Sequence, residues 1–247
     1  MKYKSFPQNF WTQFSKALDQ ELKINSRPVA AFDADGTLWN ADLGEAFFKW
    51  QIQNSALPNL PPDPWDYYRQ EKEADDPSPA YLWLAQINHG QSLQQVQTWA
   101  ESAVKAQEPL PIFEDVQRLI EWLHNQKVEV YIVTASVKWA VEPGARRLGV
   151  DADHVLGVST RIQDGMVQHQ QDGLITYREG KAQALQQKTG RKAFLCCGNT
   201  MGDFALLESA SQLRLAVGAA PTGHELFDTE ERLRQEAQRR GWLSHQF

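Results

Sequence analysis

Several features of exported, membrane-spanning and nucleic-acid-binding proteins are missing from this sequence. It has two cysteines, and they are adjacent, at Cys196 and Cys197. A disulfide between strand neighbours would be strained, because their side chains point to opposite faces. The first residues, MKYKSFPQNFWTQF, lack the apolar core of a secretory signal, and no stretch approaches the roughly 18 apolar residues of a membrane span. The formal net charge of -6 gives no indication of a nucleic-acid-binding surface. We therefore expect a cytoplasmic protein with no nucleic-acid or membrane partner.

The sequence has enough apolar residues, 42% of 247, to bury a substantial core. Short apolar runs alternate with helical spacing of apolar residues, a pattern typical of a parallel sheet with helices on both faces. We predict an α/β fold with a Rossmann-like parallel sheet. A change of pattern with two Asp-Gly pairs at 157–177 predicts a hairpin beside that sheet. The predicted strands are 28–32, 128–133, 193–197 and 213–217.

A gap of nearly one hundred residues separates the first two predicted strands. The residues at 39–110 show helical patterns and proline clusters but no convincing strand. We interpret 39–110 as an inserted all-helical cap domain. The α/β core then comprises 1–38 and 111–247, with 1–26 as an N-terminal helical extension.

Two carboxylates follow the first predicted strand, in the sequence Asp33-Ala34-Asp35-Gly36-Thr37-Leu38. Residues two apart in an extended chain project to the same side, and Gly36 allows a sharp turn. Such a pair can divide the work, one carboxylate attacking while the other moves a proton, with a hard cation bound between them and an anionic substrate. The alternative is a turn that caps the next helix.

Three further segments carry candidate residues at strand ends or helix starts. Thr134-Ala135-Ser136 ends the second predicted strand and offers a hydroxyl and amides to an anion, or an ordinary helix cap. Lys181 opens a helix, where the helix dipole disfavours a cation, although exposed lysines also occur there. The segment 198–203, GNTMGD, supplies oxygen ligands in Asn199 and Asp203, or a turn with a cap.

Taken in this order, the four segments resemble the signatures of the haloacid dehalogenase-like (HAD) superfamily. DADGTL resembles its nucleophile motif, Thr134 its phosphate-binding hydroxyl, Lys181 its charge-stabilising lysine and GNTMGD its metal motif. A helical insert directly after the first motif is similar to the cap of the phosphoserine phosphatase-like branch.

The resemblance implies a magnesium-dependent phosphoric monoester hydrolase. Asp33 would be the nucleophile, Asp35 the acid and base, and Thr134 and Lys181 the groups that hold phosphoryl oxygens. Mg²⁺ would bind Asp33, the main-chain carbonyl of Asp35, Asn199 and Asp203. The sequence departs from the family at Asn199, where an aspartate is usual, and at Gly202, where phosphoserine phosphatases usually carry asparagine.

Substrate choice would depend on the cap. Asp42 matches the position of an amine-binding glutamate in phosphoserine phosphatases, and Arg69 is the one arginine between 39 and 110. With the amide of Ala135, these are the expected substrate-binding residues. Aromatic side chains in the insert could bind a cationic head such as that of phosphocholine, phosphoethanolamine or phosphoserine, or could form the core of the cap.

We expect a small phosphorylated metabolite as substrate and a monomer or homodimer. Two alternatives use the same residues. The chain could be a phosphotransferase, or a non-catalytic member that binds phosphorylated ligands.

Overall fold

A computed structural model describes residues 3–247 of the chain. In that range the strands form one seven-stranded sheet in the order β4-β3-β2-β1-β5-β6-β7. The pairs β1–β2, β1–β5, β5–β6 and β6–β7 are parallel, and β3–β4 is antiparallel. The mostly parallel α/β sheet predicted from the sequence is therefore confirmed. The strands are β1 Val29–Phe32, β2 Glu129–Val137, β3 Val155–Gln163, β4 Met166–Asp172, β5 Leu195–Gly198, β6 Leu213–Gly218 and β7 Leu243–Gln246.

Ten α-helices accompany the sheet in residues 3–247. A short 3-10 helix, Met201–Asp203, directly precedes α9. None of the helices in the described range is long and apolar enough to cross a membrane. The helices are α1 Gln8–Leu22, α2 Leu43–Gln53, α3 Pro64–Lys72, α4 Ser78–Gln86, α5 Leu93–Lys105, α6 Glu114–Asn125, α7 Lys138–Arg147, α8 Glu179–Thr189, α9 Phe204–Ser209 and α10 Phe227–Arg239.

The chain divides into two compact units. The first unit contains the described part of Met1–Ala41, with Pro111–Val133 and Arg178–Phe247. The second contains Asp42–Leu110 and Thr134–Tyr177. The second unit thus holds α2 to α5 of the predicted insert together with the β3–β4 hairpin, which the sequence placed in the α/β core. The domain boundaries at 39 and 110 stay a prediction.

The first unit is organised around strands that are buried along their whole length. All four residues of β1 and all four of β5 are buried, including both cysteines, which are free thiols. In α6 the buried apolar residues recur at helical spacing, at Val116, Leu119, Ile120 and Leu123. This burial of apolar area supplies most of the stabilisation of the sheet that carries the candidate site.

The second unit has its own apolar core, in which residues of α2, α4 and α5 pack with Val137, Trp139, Val158 and Val167. Most of the aromatic side chains of the predicted insert pack in or against this core. They are Phe47, Phe48, Trp50, Trp65, Tyr68, Tyr81, Trp83 and Trp99.

Three local features differ from the sequence-based expectation. β2 continues through Val137, beyond the predicted end of the second strand at Thr134–Ser136. The run VTASV is rich in residues that favour strands, and Gly157 of β3 leaves room for the main chain of Ser136. The helices α3 and α10 and the strand β7 were not predicted. Prolines and charged residues obscure the helical periodicity of α3, and the many polar residues of α10 obscure its periodicity.

The predicted hairpin at 157–177 is confirmed as β3 and β4. Its tight turn uses Asp164 and Gly165, which both have positive φ angles, 52° and 75°. This is the backbone conformation for which an Asp-Gly pair is favoured.

Candidate functional site

The candidate nucleophile Asp33 directly follows β1 in the first unit. Its backbone N–H donates to the carbonyl of Cys197 in β5 at 2.9 Å. Parallel neighbours end at the same edge of a sheet, so this pairing brings Asp33 beside the loop that follows β5. The sequence 198–203 therefore lies next to the first motif, as predicted.

Lys181 joins these two segments through a buried ion-pair cluster. Its Nζ lies 2.5 Å from Oδ1 of Asp33 and 2.5 Å from Oδ1 of Asp203. The three side chains are 3%, 8% and 2% exposed, respectively. Two carboxylates share one ammonium, so the fully ionised cluster carries a formal charge of -1 in a water-poor environment.

The electrostatics of the cluster follow from that imbalance. The pKa of Asp33 is raised from the ordinary 3.8 to about 6, because burial and then the charge of Asp203 raise it more than Lys181 lowers it. Burial alone would lower the pKa of Lys181, but the two carboxylates outweigh it, and the pKa is raised. Lys181 is thus held as a cation, and Asp33 is a carboxylate whose ionised form is costly without further positive charge.

The hydroxyl of Thr37 connects the first motif to Asn199. Thr37 is fully buried, and its Oγ1 lies 3.1 Å from Oδ2 of Asp33 and 3.3 Å from Oδ1 of Asn199. Gly36 makes the close approach possible, because a Cβ at that position would lie 2.1 Å from Nδ2 of Asn199. Gly36 also has a positive φ of 77°, which disfavours other residues.

Asp203 organises the loop between β5 and α9. Its Oδ2 accepts from the backbone N–H groups of Asn199 and Thr200 at 3.1 and 2.9 Å, and from the hydroxyl of Thr200 at 3.2 Å. Gly198 is required beside it, since a Cβ there would lie 2.5 Å from Cβ of Asp203. Both carboxylate oxygens of Asp203 are therefore engaged, one by the loop and one by Lys181.

Asp35, the candidate acid and base, is half-buried and held by a tryptophan. The indole N–H of Trp39 donates to Oδ1 of Asp35 at 2.8 Å. Trp39 is fully buried, so its ring cannot change position easily. The contact fixes the side-chain direction of Asp35.

The remaining candidates lie in the second unit. Thr134 is buried in β2, where its hydroxyl accepts from the backbone N–H of Ser136, and Ala135 is half-buried beside it. Arg69 is exposed and forms an ion pair with Glu73 at 3.0 Å. The substrate-binding roles of these residues stay predictions.

Asp42 caps α2 by accepting from the backbone N–H of Glu45 at 2.8 Å. Burial raises its pKa, the charge of Glu45 adds to that effect, and Lys72 opposes it. Glu45 in turn pairs with Lys72 at 2.6 Å and Lys49 at 3.5 Å. Asp42 therefore has a structural role at a helix start, whether or not it also binds substrate.

The oxygen donors of the first unit are suited to a hard cation. Among residues 3–247, no three or more His, Cys, Asp or Glu residues are grouped to hold a metal ion. The structure places a carboxylate oxygen of Asp33 and the amide oxygen of Asn199 here, both beside the hydroxyl of Thr37. The resemblance adds the main-chain carbonyl of Asp35 and the carboxylate of Asp203. Mg²⁺ accepts such a set, because it retains waters and needs only one or two carboxylates.

Three residues of the site were not assigned roles from the sequence. Thr37 and Trp39 lie in or beside the first motif, so their proximity to Asp33 and Asp35 in the sequence could have identified them as site residues. Glu230 of α10 contacts Asn199 from 31 positions further along the chain, with Oε1 lying 3.0 Å from Nδ2. No local pattern in the sequence marks Glu230.

Comparisons with known proteins agree with this fold. A protein of unknown function from Bordetella pertussis Tohama I has a TM-score of 0.72 at 19% identity, over 89% of this chain and 98% of that one. A functionally unknown protein from Anaerococcus prevotii DSM 20548 has a TM-score of 0.74 at 18% identity, over 99% and 94%. A substrate-bound phosphoserine phosphatase has a TM-score of 0.53 at 14% identity, over 86% and 98%. At these identities the likeness concerns the fold.

The sequence itself matches a family model over residues 30–208, which include Asp33, Lys181 and Asp203. The comparison with curated proteins finds no match. The resemblance predicted from the four motifs is confirmed, and it extends in fold to phosphoserine phosphatase. The matched segment covers more than half of the sequence, and the chain belongs to the haloacid dehalogenase-like hydrolases.

Proposed function

We propose that the chain is a phosphomonoester hydrolase that forms a covalent phosphate on Asp33. The observation that carries this proposal is the buried cluster in which Lys181 contacts both Asp33 and Asp203 at 2.5 Å. A cation held at the attacking carboxylate can stabilise the negative charge of a phosphoryl group in the transition state. A turn or helix cap, the alternative interpretation of the first motif, requires no buried lysine at this position.

The reaction takes place in two steps at phosphorus. A carboxylate oxygen of Asp33 bonds to phosphorus while the bond from phosphorus to the ester oxygen breaks, and Asp35 gives its proton to the departing alcohol. A water molecule then loses a proton to Asp35 and bonds to phosphorus, and the bond to Asp33 breaks. Inorganic phosphate leaves, and both aspartates return to their initial protonation states.

The residues of this chain have separate tasks in these steps. Trp39 holds Asp35 in one orientation through its 2.8 Å hydrogen bond. Lys181 neutralises negative charge beside Asp33, and the family resemblance implies that Thr134 binds a phosphoryl oxygen. When bound, Mg²⁺ would supply further positive charge next to the phosphoryl group, held by Asp33, Asp35 and Asn199. Asp203, also predicted as a ligand, fixes the loop 198–203 and Lys181 through the contacts of its two oxygens.

A panel of phosphomonoesters tests the proposed function. Purified protein with Mg²⁺ should release inorganic phosphate from at least one small phosphomonoester without any acceptor alcohol, and a chelator should stop the release. Phosphate transfer only in the presence of an added alcohol would instead identify a phosphotransferase. Binding of phosphomonoesters without any cleavage would identify a non-catalytic member.

We further propose that the head group of the substrate carries a cationic amine. A cationic amine, as in phosphoethanolamine, phosphocholine or phosphoserine, is supported by the carboxylate of Asp42. The aromatic residues add little support, because most pack in or against the core of the second unit. The ring of Trp65 already has a cation over it, since Nζ of Lys49 lies 4.1 Å from its centroid.

Asp42→Asn separates substrate recognition from helix capping, because asparagine caps a helix about as well as aspartate. If Asp42 binds an amine, kcat/KM for the best amine-bearing phosphomonoester should fall about tenfold or more relative to that for an aryl phosphate whose aryl group is uncharged. A hydrogen bond to a charged group contributes about 1.5–3 kcal/mol. Steady-state kinetics on both substrates measures the ratio.

Asp63→Asn is the matched control for this prediction. Asp63 directly precedes α3 in the same unit but makes no capping hydrogen bond through its side chain, and it is exposed. The control should leave the ratio of the two substrates unchanged. An unchanged ratio in Asp42→Asn as well would remove the amine from the proposal and leave Asp42 as a helix cap.

A further inference from the structure

Glu230 contacts the loop 198–203 from α10 and has no role in the family motifs. It is 3% exposed, and its Oε1 accepts from Nδ2 of Asn199 at 3.0 Å. Its Oε2 accepts from the backbone N–H groups of Ala219 and Ala220, both at 2.9 Å. Three N–H donors thus fix both oxygens of this carboxylate at the end of β6.

The arrangement fixes which end of the Asn199 amide faces the site. A carboxylate that accepts hydrogen bonds requires the NH₂ group of the amide on its side. The amide oxygen must then point the other way, where it lies 3.3 Å from the hydroxyl of Thr37, which also contacts Asp33. With the amide reversed, its oxygen would face the Glu230 carboxylate, and its NH₂ group would face the cation position.

The neighbouring residue of α10 holds the same loop. The hydroxyl of Thr229 accepts from the backbone N–H of Met201 at 3.1 Å. Gly218 leaves the space that Glu230 needs, since a Cβ there would lie 2.9 Å from Oε2. The start of α10 is therefore fitted to the loop 198–203 by contacts of consecutive residues.

The geometry points to Glu230 as a positioning residue that holds the amide oxygen of Asn199 toward Mg²⁺ and places a negative charge behind it. The inference rests on the proposed function in that it assumes a metal at this loop. It explains how asparagine can occupy a position where the family usually has aspartate. The charge absent from position 199 is present one hydrogen bond away.

Glu230→Gln tests the inference with little change of shape. The amide oxygen of the introduced glutamine would accept from Ala219 and Ala220, so its NH₂ group would face Asn199 and reverse the Asn199 amide. Titration calorimetry with Mg²⁺ and no substrate should give a dissociation constant raised about tenfold or more, the usual range for partners that orient metal ligands. The unfolding temperature without metal, followed by circular dichroism, checks that the variant is folded.

The double substitution Asn199→Asp with Glu230→Gln is the decisive variant. The introduced glutamine can then accept from Ala219 and Ala220 and donate to the introduced aspartate, whose other oxygen faces the metal. All hydrogen bonds are matched again, so Mg²⁺ affinity should return to the wild-type value or exceed it. Glu231→Gln, whose carboxylate contacts Arg234 and Gln235 on its own helix, is the control and should bind Mg²⁺ as the wild type does.

The inference is overturned if folded Glu230→Gln binds Mg²⁺ within about twofold of the wild type, or if the folded double variant fails to recover. It is also overturned if the wild type binds no Mg²⁺. Phosphate release by the wild type is scored separately. The wild type could hydrolyse no phosphomonoester while the wild type and its variants show the expected order of Mg²⁺ affinities. That result would contradict the proposed function and leave the role of Glu230 intact.

Discussion

Asp33→Asn should abolish phosphate release while leaving the protein folded. An amide cannot form the acyl phosphate, and the loss of a covalent nucleophile removes several orders of magnitude in rate. Lys181 would still be paired with Asp203 at 2.5 Å, so the cluster would hold one cation and one anion. Steady-state assays with an aryl phosphate and circular dichroism on the same preparation measure both effects.

The same variant should change how stability depends on pH. The pKa of Asp33 in the folded chain is raised from 3.8 to about 6, so the folded state holds this proton more tightly than the unfolded state. The contribution of Asp33 to the stability of the wild type without metal should therefore fall as pH rises from about 4 to about 6, which the difference in unfolding free energy between wild type and Asp33→Asn measures. Asp33→Asn lacks this loss, so at neutral pH it should be at least as stable as the wild type. A folded Asp33→Asn protein that retains substantial activity would eliminate Asp33 as the nucleophile.

Lys181→Met should affect both stability and turnover. It leaves the carboxylates of Asp33 and Asp203, which are 8% and 2% exposed, without their shared cation. Removing one partner of a buried ion pair costs about 3–5 kcal/mol. The free energy of unfolding, from denaturant titration without metal, should fall by that order. Phosphate release should also fall strongly, because the charge beside the phosphoryl group is lost.

Lys188→Met is the matched control, since Lys188 is an exposed residue of the same helix. It should change neither stability nor turnover appreciably. Mg²⁺ should restore part of the stability of Lys181→Met, because a second cation can then neutralise the carboxylates. If Lys181→Met is as stable as the wild type without metal, Lys181 is not the cation that balances this cluster.

The residues at the ends of β1 and β5 were predictable because they follow short, fully buried apolar runs. Parallel strands bring such ends to one edge of the sheet, so the sequence alone could place Asp33 and the loop 198–203 together. Lys181 was found for a related reason, since a cation at the start of a helix is unfavourable unless an anion compensates it. The compensating anions are Asp33 and Asp203.

Other parts of the site depend on contacts distant along the chain. The Asn199–Glu230 hydrogen bond joins residues 31 positions apart. Glu230 lies in α10, whose many polar residues obscured its helical periodicity in the sequence. The end of β2 lies slightly beyond its predicted position for a different reason. Thr134–Ser136 had the composition of a helix start, but pairing within the sheet extended the strand to Val137. Tertiary contacts decided both cases.

Chemical trapping of Asp33 tests the central claim most directly. Wild-type protein is mixed with a phosphomonoester and Mg²⁺, quenched during turnover and reduced with borohydride, which converts an aspartyl phosphate to homoserine. Peptide mass spectrometry should then find homoserine at position 33, and aspartate there when the phosphomonoester is omitted. Homoserine at another aspartate, or none in protein quenched while it is releasing phosphate, would contradict a covalent phosphate on Asp33.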